Sequence, residues 1–287
     1  MQQAEHKTTN VWGLDVHFVE AGEGPVVLLL HGLADYHLSW YCNIDYLADA
    51  GYRVIAPDLP GSGESDKPDH LDYNPGSAAD FAYDLCQELG ISKLSLVGNS
   101  AGGLVAGLFA LEHPEMVEKL VLVDSAGLGQ EVSWMLRTIS IPLLGDLIYR
   151  PNLNNKMRII KRLFYQPPAV LDELLPEMNR VKLLPGARNA VLRAIRSSIS
   201  LRGLRKQWFI LDRLRDAKIP MMVIWGAEDI IIPVAHAKRA DKALPRCTTH
   251  VIPECGHWPQ MEKSSIFNPM LTDFLNSDPA QQENPAS

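Results

Sequence analysis

Gly98-Asn99-Ser100-Ala101-Gly102 follows an apolar run, Leu94-Ser95-Leu96-Val97, and precedes a helix predicted for residues 101–113. This stretch fits the pattern Gly-x-Ser-x-Gly. A serine in a tight turn from strand to helix crowds its neighbours, so the residues two before and two after it must lack bulk. A chain of this length contains the pattern by chance roughly one time in ten. Its position between a strand and a helix therefore supports the interpretation of Ser100 as a nucleophile.

Other short apolar runs alternate with helix-like segments on both sides of that stretch. They lie at residues 26–30, 53–56, 120–123 and 221–225, with a further strand near 248–252. Each is too short and too rich in β-branched residues for a helix, and continuous apolar runs are typical of strands covered on both faces. Helices are predicted at 78–89, 101–113, 234–244 and 264–276. This alternation predicts an α/β fold with a mostly parallel sheet flanked by helices.

The strand pattern stops after residue 127, and a helix-rich block follows. Residues 128–215 hold 16 Lys and Arg against 6 Asp and Glu, whereas the rest of the chain holds 11 against 28. We predict that 1–127 and 216–276 form the core, that 128–215 form an inserted helical cap, and that 277–287 form a disordered polar tail. Residues 155–165 fit a basic amphipathic helix. We favour a roof over a pocket for this helix, and the alternative is peripheral contact with an anionic membrane surface.

Composition excludes several classes of protein. The net charge of −7 gives nucleic acid little reason to bind. The first ten residues lack the apolar run of a secretory signal, and no segment approaches 18 uninterrupted apolar residues. The four cysteines, at 42, 86, 247 and 255, match neither a metal-binding pair nor a disulfide framework. We expect a cytoplasmic globular protein with reduced thiols, and the oligomeric state stays open.

A serine hydroxyl needs a base to remove its proton, and the base needs an anion to orient it. His257 follows the last predicted strand, in a loop with a turn glycine and a proline. Asp229 lies just beyond the strand before it, which gives the chain order Ser, Asp, His. Asp124 also ends a strand and is the rival acid, while Glu228 is expected to point away. We predict Ser100, Asp229 and His257 as the catalytic residues.

Two backbone amides are candidates for stabilising an oxyanion. His31-Gly32-Leu33 follows the strand at 26–30, where an amide can reach a carbonyl oxygen. The helix after Ser100 directs its amide end, with partial positive charge, toward the same place. We predict the N–H groups of Leu33 and Ala101 as the donors.

Five motifs together closely resemble the α/β-hydrolase superfamily. They are His31-Gly32, Asp58-Leu59-Pro60-Gly61-Ser62-Gly63-Glu64-Ser65, Gly98-Asn99-Ser100-Ala101-Gly102-Gly103, Gly226-Ala227-Glu228-Asp229 and Gly256-His257. The resemblance implies an eight-stranded sheet, a helical cap inserted after the sixth strand, and a hydrolase that needs no cofactor or metal. Epoxide hydrolases and haloalkane dehalogenases carry aspartate where this chain has Ser100, so those branches are excluded.

The resemblance does not decide whether the enzyme hydrolyses an ester bond or a carbon–carbon bond. Residues 98–100 and 255–262 resemble the carbon–carbon bond hydrolases that cleave ring-fission products of aromatic degradation. In those enzymes a cap arginine holds the acidic substrate, and Met178, Arg180 and Arg188 lie near its position. The bulky Leu33 instead resembles the loop of esterases acting on short or medium acyl chains.

We therefore predict a carboxylesterase that hydrolyses small-molecule short- to medium-chain or aryl esters through an acyl-enzyme. The alternative is a carbon–carbon bond hydrolase of ring-fission products. A non-catalytic ligand-binding protein on the same fold is a third hypothesis, and the complete set of Ser100, Asp229 and His257 argues against it.

Overall fold

Eight strands form one sheet in the computed structural model, which describes residues 3–149 and 160–278. The strands within these residues are β1 Glu5–Val11, β2 Leu14–Ala21, β3 Val26–Leu30, β4 Arg53–Pro57, β5 Leu94–Asn99, β6 Val117–Val123, β7 Ile199–Ser200, β8 Gly203–Leu204, β9 Met221–Gly226 and β10 Cys247–Ile252. The order in the main sheet is β1-β2-β4-β3-β5-β6-β9-β10, and β7 and β8 form a separate hairpin. Only the pairs β1/β2 and β2/β4 of this sheet are antiparallel. The predicted eight-stranded, mostly parallel sheet is confirmed.

Helices connect the strands at most crossings. They are α1 Ile44–Asp49, α2 Pro75–Glu88, α3 Ala101–Glu112, α4 Trp134–Ile139, α5 Leu144–Ile148, α6 Val170–Lys182, α7 Ala187–Ser198, α8 Leu211–Leu214, α9 Ala235–Ala243, α10 Pro259–Glu262 and α11 Ser264–Asn276. Short 3-10 turns occur at His37–Trp40 and Lys206–Trp208. The predicted core helices at 78–89, 101–113, 234–244 and 264–276 correspond to α2, α3, α9 and α11.

Apolar side chains cover both faces of the sheet. Leu28 and Leu30 of β3 belong to one buried cluster, while Val27 and Leu29 belong to a second cluster on the other side. Successive side chains of a strand point to opposite faces, so a strand between two helical layers needs apolar residues at every position. This explains why the strand runs are continuous in the sequence.

The segment between β6 and β9 adds no strand to the main sheet within the described residues. It contains α4 to α8 and the β7/β8 hairpin. Leu175 and Met178 of α6 share a third buried cluster with Tyr36 and Trp258 of the sheet domain. The segment is therefore packed onto the core, and the domain boundaries at 127 and 216 stay a prediction.

Two predictions fall partly outside the described residues. These are most of the tail, at 279–287, and the first half of the basic helix, at 155–159. In the described part, helical conformation ends at Lys161 and a turn follows, so the helix is shorter than the prediction of 155–165; Ile160 and Phe164 are buried, while Lys161 and Arg162 are exposed. Across the described part of the chain, no helix combines the length and hydropathy that a membrane span requires.

Lys119 is buried in β6 and anchors the end of α11. Its Nζ donates to the carbonyl oxygens of Phe274, Leu275 and Ser277 at 2.6 to 2.8 Å. The last carbonyls of a helix have no partner within the helix, and a cation there also suits the helix dipole. The lysine therefore fixes the end of α11 to strand β6.

We expect Lys119→Met to lower the free energy of unfolding by about 2–3 kcal/mol, because buried carbonyls lose their donor. Lys218→Met, at an exposed lysine, should change it by less than about 0.5 kcal/mol. Urea unfolding followed by circular dichroism measures both. Equal effects of the two substitutions would contradict the anchoring role.

Candidate active site

Ser100 occupies the turn between β5 and α3 in an unusual backbone conformation. Its φ is 56° and its ψ is −118°, a combination that L-residues rarely adopt without support from their surroundings. That support comes from the end of β6. The Ser100 amide donates to the carbonyl of Val123 at 2.9 Å, and its carbonyl accepts from the amide of Ala126 at 3.0 Å.

The two glycines that flank the serine are sterically required. A Cβ at Gly98 would overlap the carbonyl of Gly102 across the turn. One at Gly102 would overlap the carbonyls of Leu30 and His31 at the end of β3. The crowding inferred from the sequence pattern is present in the structure.

His257 and Asp229 are in direct contact. Nδ1 of His257 donates to Oδ2 of Asp229 at 2.7 Å, and Oδ1 of Asp229 accepts from the amides of Ile231 and Ile232 at 2.7 and 3.2 Å. A proton on Nδ1 leaves Nε2 of the neutral ring as an acceptor. Within the described residues, neither this Nε2 nor the hydroxyl of Ser100 has a hydrogen-bond partner. Both groups are free to engage a reactant.

Asn99 connects the serine turn to the histidine loop. Its Nδ2 donates to the carbonyls of His257 and Val123, each at 3.2 Å. The turn of Ser100 and the backbone of His257 are therefore held by one amide. Asn99 occupies a variable position of the pattern Gly-x-Ser-x-Gly. In the sequence, only its place in the segment Gly98-Asn99-Ser100 indicates a role for it.

Glu262 is a second supporting residue, and its role has no signal in the sequence pattern. Its carboxylate accepts from the amide of Gly256 at 2.7 Å and from the amides of Tyr165 and Gln166 at 3.2 and 2.5 Å. The amide of His257 also donates to the carbonyl of Leu163 at 2.7 Å. The segment between β6 and β9 therefore holds the histidine loop in place.

Asp124, the rival acid, is fully buried beside Asp229. Its Oδ1 accepts from the amide of Gly226 at 3.0 Å, and one atom from each of Asp124, Asp229 and His257 lies within 4.8 Å of the others. Burial, followed by the negative charge of Asp229, raises the pKa of Asp124 well above its ordinary value. Asp124 is therefore the neutral acid of the pair, and Asp229 is the carboxylate that contacts the imidazole.

Glu228 points away from the imidazole, as expected. Its Oε2 accepts from the amide of Cys255 at 2.9 Å. The adjacent Asp229 is thus the residue of this loop that reaches His257.

The predicted oxyanion donors line the same pocket as Ser100. Among the described residues, the amides of Leu33 and Ala101 have no acceptor. His31 stabilises the loop after β3 that contains Leu33. Its Nε2 accepts from the amide of Leu59 at 3.1 Å, and its Nδ1 donates to the carbonyl of Gly32 at 2.8 Å. Ala101 begins α3, where amides have no partner within the helix.

A pocket of about 1100 Å³, including its open mouth, lies over Ser100. The core and the inserted segment both contribute to it, and most of its side chains are apolar. They include Leu33, Leu71, Phe81, Leu104, Val105, Val132, Leu136, Val191, Ile199, Leu204 and Ile232. Among the described residues, Asp72 is the charged group of this lining, and no Lys or Arg contributes to it.

The arginines near the expected substrate-holding position are engaged elsewhere. Arg180 pairs with Glu64 and Glu177, and Arg188 donates to the carbonyls of Asp146 and Tyr149. Met178, near the same position, is fully buried in the third cluster. None of the three lines the pocket.

Known proteins resemble this chain over nearly its whole length. A family model described as alpha/beta hydrolase fold matches residues 25–264. The 2-hydroxy-6-oxo-6-phenylhexa-2,4-dienoate hydrolase of Burkholderia cepacia is 34% identical over 277 residues, covering 93% of this chain and 94% of that protein. The 2-hydroxy-6-oxononadienedioate/2-hydroxy-6-oxononatrienedioate hydrolase of Comamonas testosteroni is 33% identical, with the same coverage. The crystal structure of a meta-cleavage product hydrolase from Pseudomonas fluorescens IP01 gives a TM-score of 0.81 at 28% identity, covering 94% of this chain and 97% of that one.

The preference for ester hydrolysis is wrong, because these relatives are named as hydrolases of 2-hydroxy-6-oxo-dienoates, which are carbon–carbon bond hydrolases. That preference depended on the bulk of Leu33. The group that Leu33 offers to an oxyanion is its amide, which every residue except proline has. Its side chain packs against the large apolar cluster. The size of this side chain therefore does not distinguish an oxygen from a carbon leaving group.

We expect Asp229→Asn to slow the labelling of Ser100 by a fluorophosphonate by roughly 10³–10⁴-fold, because asparagine favours the wrong tautomer of His257. Asp124→Asn keeps a neutral group of the same shape and should label within about threefold of wild type. Mass spectrometry of the Ser100 adduct measures both rates, and circular dichroism checks the fold. Comparable losses in both variants would contradict the assignment of Asp229 as the acid partner.

Asp124→Asn should also change the pH dependence of stability. A carboxyl whose pKa rises on folding stabilises the protein fully below its ordinary pKa, of about 4, and this contribution is lost as the pH rises through the raised value. The free energy of unfolding of wild type should therefore fall relative to that of Asp124→Asn over the range from about pH 4 upward. Urea unfolding across this range measures the difference, and parallel curves would contradict a neutral Asp124.

Proposed function

The chain belongs to the α/β-hydrolase fold family, and on that premise we propose that it hydrolyses a carbon–carbon bond in 2-hydroxy-6-oxo-dienoates. The observation that carries the proposal is the 2.7 Å contact between His257 and Asp229, in a loop that Asn99 ties to the turn of Ser100. The similarity to named hydrolases of such compounds over 93% of the chain supports the substrate class.

The chemistry of the substrate defines what the site must do. When the dienol of such a compound becomes the 2,6-diketone, a proton moves to C5 and C6 becomes an isolated ketone. Ser100 adds to C6 while Nε2 of His257 takes the hydroxyl proton. The amides of Leu33 and Ala101 donate to the oxyanion that forms.

Collapse of this intermediate breaks the C5–C6 bond. The electron pair passes through C4 and C3 to the C2 carbonyl, so the leaving group is a dienolate, and His257 returns its proton to it. Water then hydrolyses the acyl-enzyme, with His257 again as the base. The net reaction consumes one water and yields a 2-hydroxydienoate and a carboxylic acid.

The lining of the pocket supports one subclass of substrate. A second carboxylate on the C6 substituent would enter an apolar pocket in which the described charged residue is Asp72. Burying an unpaired anion is costly, whereas a phenyl or alkyl group gains from contact with apolar side chains. We therefore favour an uncharged C6 substituent. Substrates with a charged and with an uncharged C6 substituent share the carboxylate at C1, so that carboxylate does not affect this choice.

We also propose that residues 128–215 act as the cap of this pocket. Val132 and Leu136 from the start of the segment, and Ala190 and Ala194 from α7, line it together with Ser100. These side chains are placed to select the C6 substituent.

We expect wild type to cleave 2-hydroxy-6-oxo-6-phenylhexa-2,4-dienoate with kcat/KM at least about tenfold above that for the nonadienedioate analogue, since the second carboxylate loses its hydration in the pocket. Ser100→Ala and His257→Ala should each lower kcat by more than about 10³-fold, because the triad works as a unit. Loss of dienolate absorbance measures turnover, and His70→Ala, at an exposed histidine, is the matched control.

Three outcomes would contradict the proposal. One is full activity of Ser100→Ala. Another is turnover of p-nitrophenyl butyrate with a kcat/KM far above that of the phenyl dienoate. The third is tight binding of the phenyl dienoate without turnover, which would indicate a ligand-binding protein.

A further inference from the structure

A second, smaller pocket adjoins the reaction pocket. This side pocket has a volume of about 310 Å³, including its open mouth. Part of its lining also lines the reaction pocket, so the two spaces are direct neighbours. The shared residues are Ala34, Gly61, Ser62 and Val191. The reaction proposed above makes no use of the side pocket.

Two buried polar groups in the lining of the side pocket lack a hydrogen-bond partner. Asp35 and Tyr36 are 3% and 1% exposed, and both line this space. Oδ1 of Asp35 accepts from the amide of Tyr36 at 3.0 Å. Oδ2 of Asp35 and the hydroxyl of Tyr36 have no partner among the described residues. Buried polar groups are nearly always hydrogen-bonded, so these two atoms indicate a polar ligand in the side pocket.

Both of these groups carry a proton. Burial raises the pKa of Asp35, while His31 and Lys182 act in the opposite direction. Burial also raises the pKa of the Tyr36 hydroxyl. A neutral carboxyl and a phenol each have one O–H donor. The side pocket therefore offers two donors, and it requires a ligand with acceptor oxygens.

Lys182 adds positive charge to the same space. It ends α6 and lines the side pocket. The reaction pocket has no Lys or Arg in its described lining, and an unpaired carboxylate is costly to bury in such a place. An anionic group of a ligand is therefore more stable in the side pocket than in the reaction pocket.

The distance from the nucleophile to the side pocket suits the length of the proposed substrate. Asp35 follows the predicted oxyanion donor Leu33 by two residues, and two residues span at most about 7 Å. In a 2-hydroxy-6-oxo-dienoate, five carbon–carbon bonds separate C6 from C1, a zigzag of about 6 Å. With C6 at Ser100, the oxygens on C1 and C2 are within reach of the side pocket.

We propose that the side pocket binds the acidic end of the dienoate, with the O–H groups of Asp35 and Tyr36 donating to the C1 and C2 oxygens and Lys182 balancing the charge. The identity of this ligand rests on the proposed function. The electron pair released from the C5–C6 bond ends on the C2 oxygen, so a donor there also stabilises the leaving dienolate. A carboxylic acid that burial keeps neutral can stabilise an enolate in this way.

Turnover of the phenyl dienoate tests the two donors. Asp35→Asn keeps an uncharged donor of the same shape, so its kcat/KM should stay within about threefold of wild type. Asp35→Leu and Tyr36→Phe each remove a donor, and each should lower kcat/KM at least about tenfold. Tyr46→Phe, at an exposed tyrosine, is the matched control and should match wild type. Circular dichroism checks the fold of every variant.

A binding measurement tests the charge without turnover. Hexa-2,4-dienoate and hexa-2,4-dienamide differ in charge at C1, and each is used to protect Ser100 from a fluorophosphonate. In wild type, and in Lys218→Met at an exposed lysine, the dienoate should protect at a concentration at least about tenfold below that of the amide. In Lys182→Met this preference should fall below about threefold.

Two results would overturn the proposal. One is equal protection by the two probes in wild type, and the other is an unchanged kcat/KM in both Asp35→Leu and Tyr36→Phe. If wild type shows the expected preference for the dienoate probe but does not cleave the phenyl dienoate, the anion site stands and the proposed reaction fails.

Discussion

The backbone of Ser100 is the constraint on which the site depends. A residue at φ 56° that joins a buried strand to a helix is held there only if its neighbours have no side chains and its peptide groups have fixed partners. Gly98 and Gly102 meet the first condition, and the end of β6 meets the second. Because α3 starts at this turn, its free amides and the serine hydroxyl share one pocket. The position of Ser100 is therefore a property of the strand-to-helix crossing, and the remaining groups of the candidate site are arranged around it.

Charge near the imidazole is divided between two aspartates by their environments. Asp229 accepts three N–H hydrogen bonds, two from backbone amides and one from the imidazole of His257. Asp124 has one amide donor and is completely buried. Burial raises the pKa of Asp124, and the negative charge of Asp229 raises it further. One of two neighbouring carboxyls is thereby kept neutral, and His257 has a single anionic partner.

Local patterns were sufficient to predict the parallel strands, the core helices and the order of Ser100, Asp229 and His257, because apolar runs and turn residues report on their own surroundings. The β1/β2 hairpin has a weaker signal, since His6, Lys7 and Glu20 interrupt its apolar positions. The roles of Asn99 and Glu262 depend on contacts between residues about 100 or more positions apart, which no local pattern contains. The wrong choice of leaving group has the same origin, because the bulk of Leu33 is a local feature and the pocket is assembled from distant segments.

The hydrogen bonds of Glu262 restrict how the inserted segment can move to admit a ligand. The same carboxylate holds Gly256, next to His257, and the amides of Tyr165 and Gln166 in the inserted segment. Any hinge motion that lifts residues 163–166 must break these bonds and the one from His257 to Leu163. A molecule opened in this way would therefore lose the hydrogen bonds that hold the loop of His257 in place.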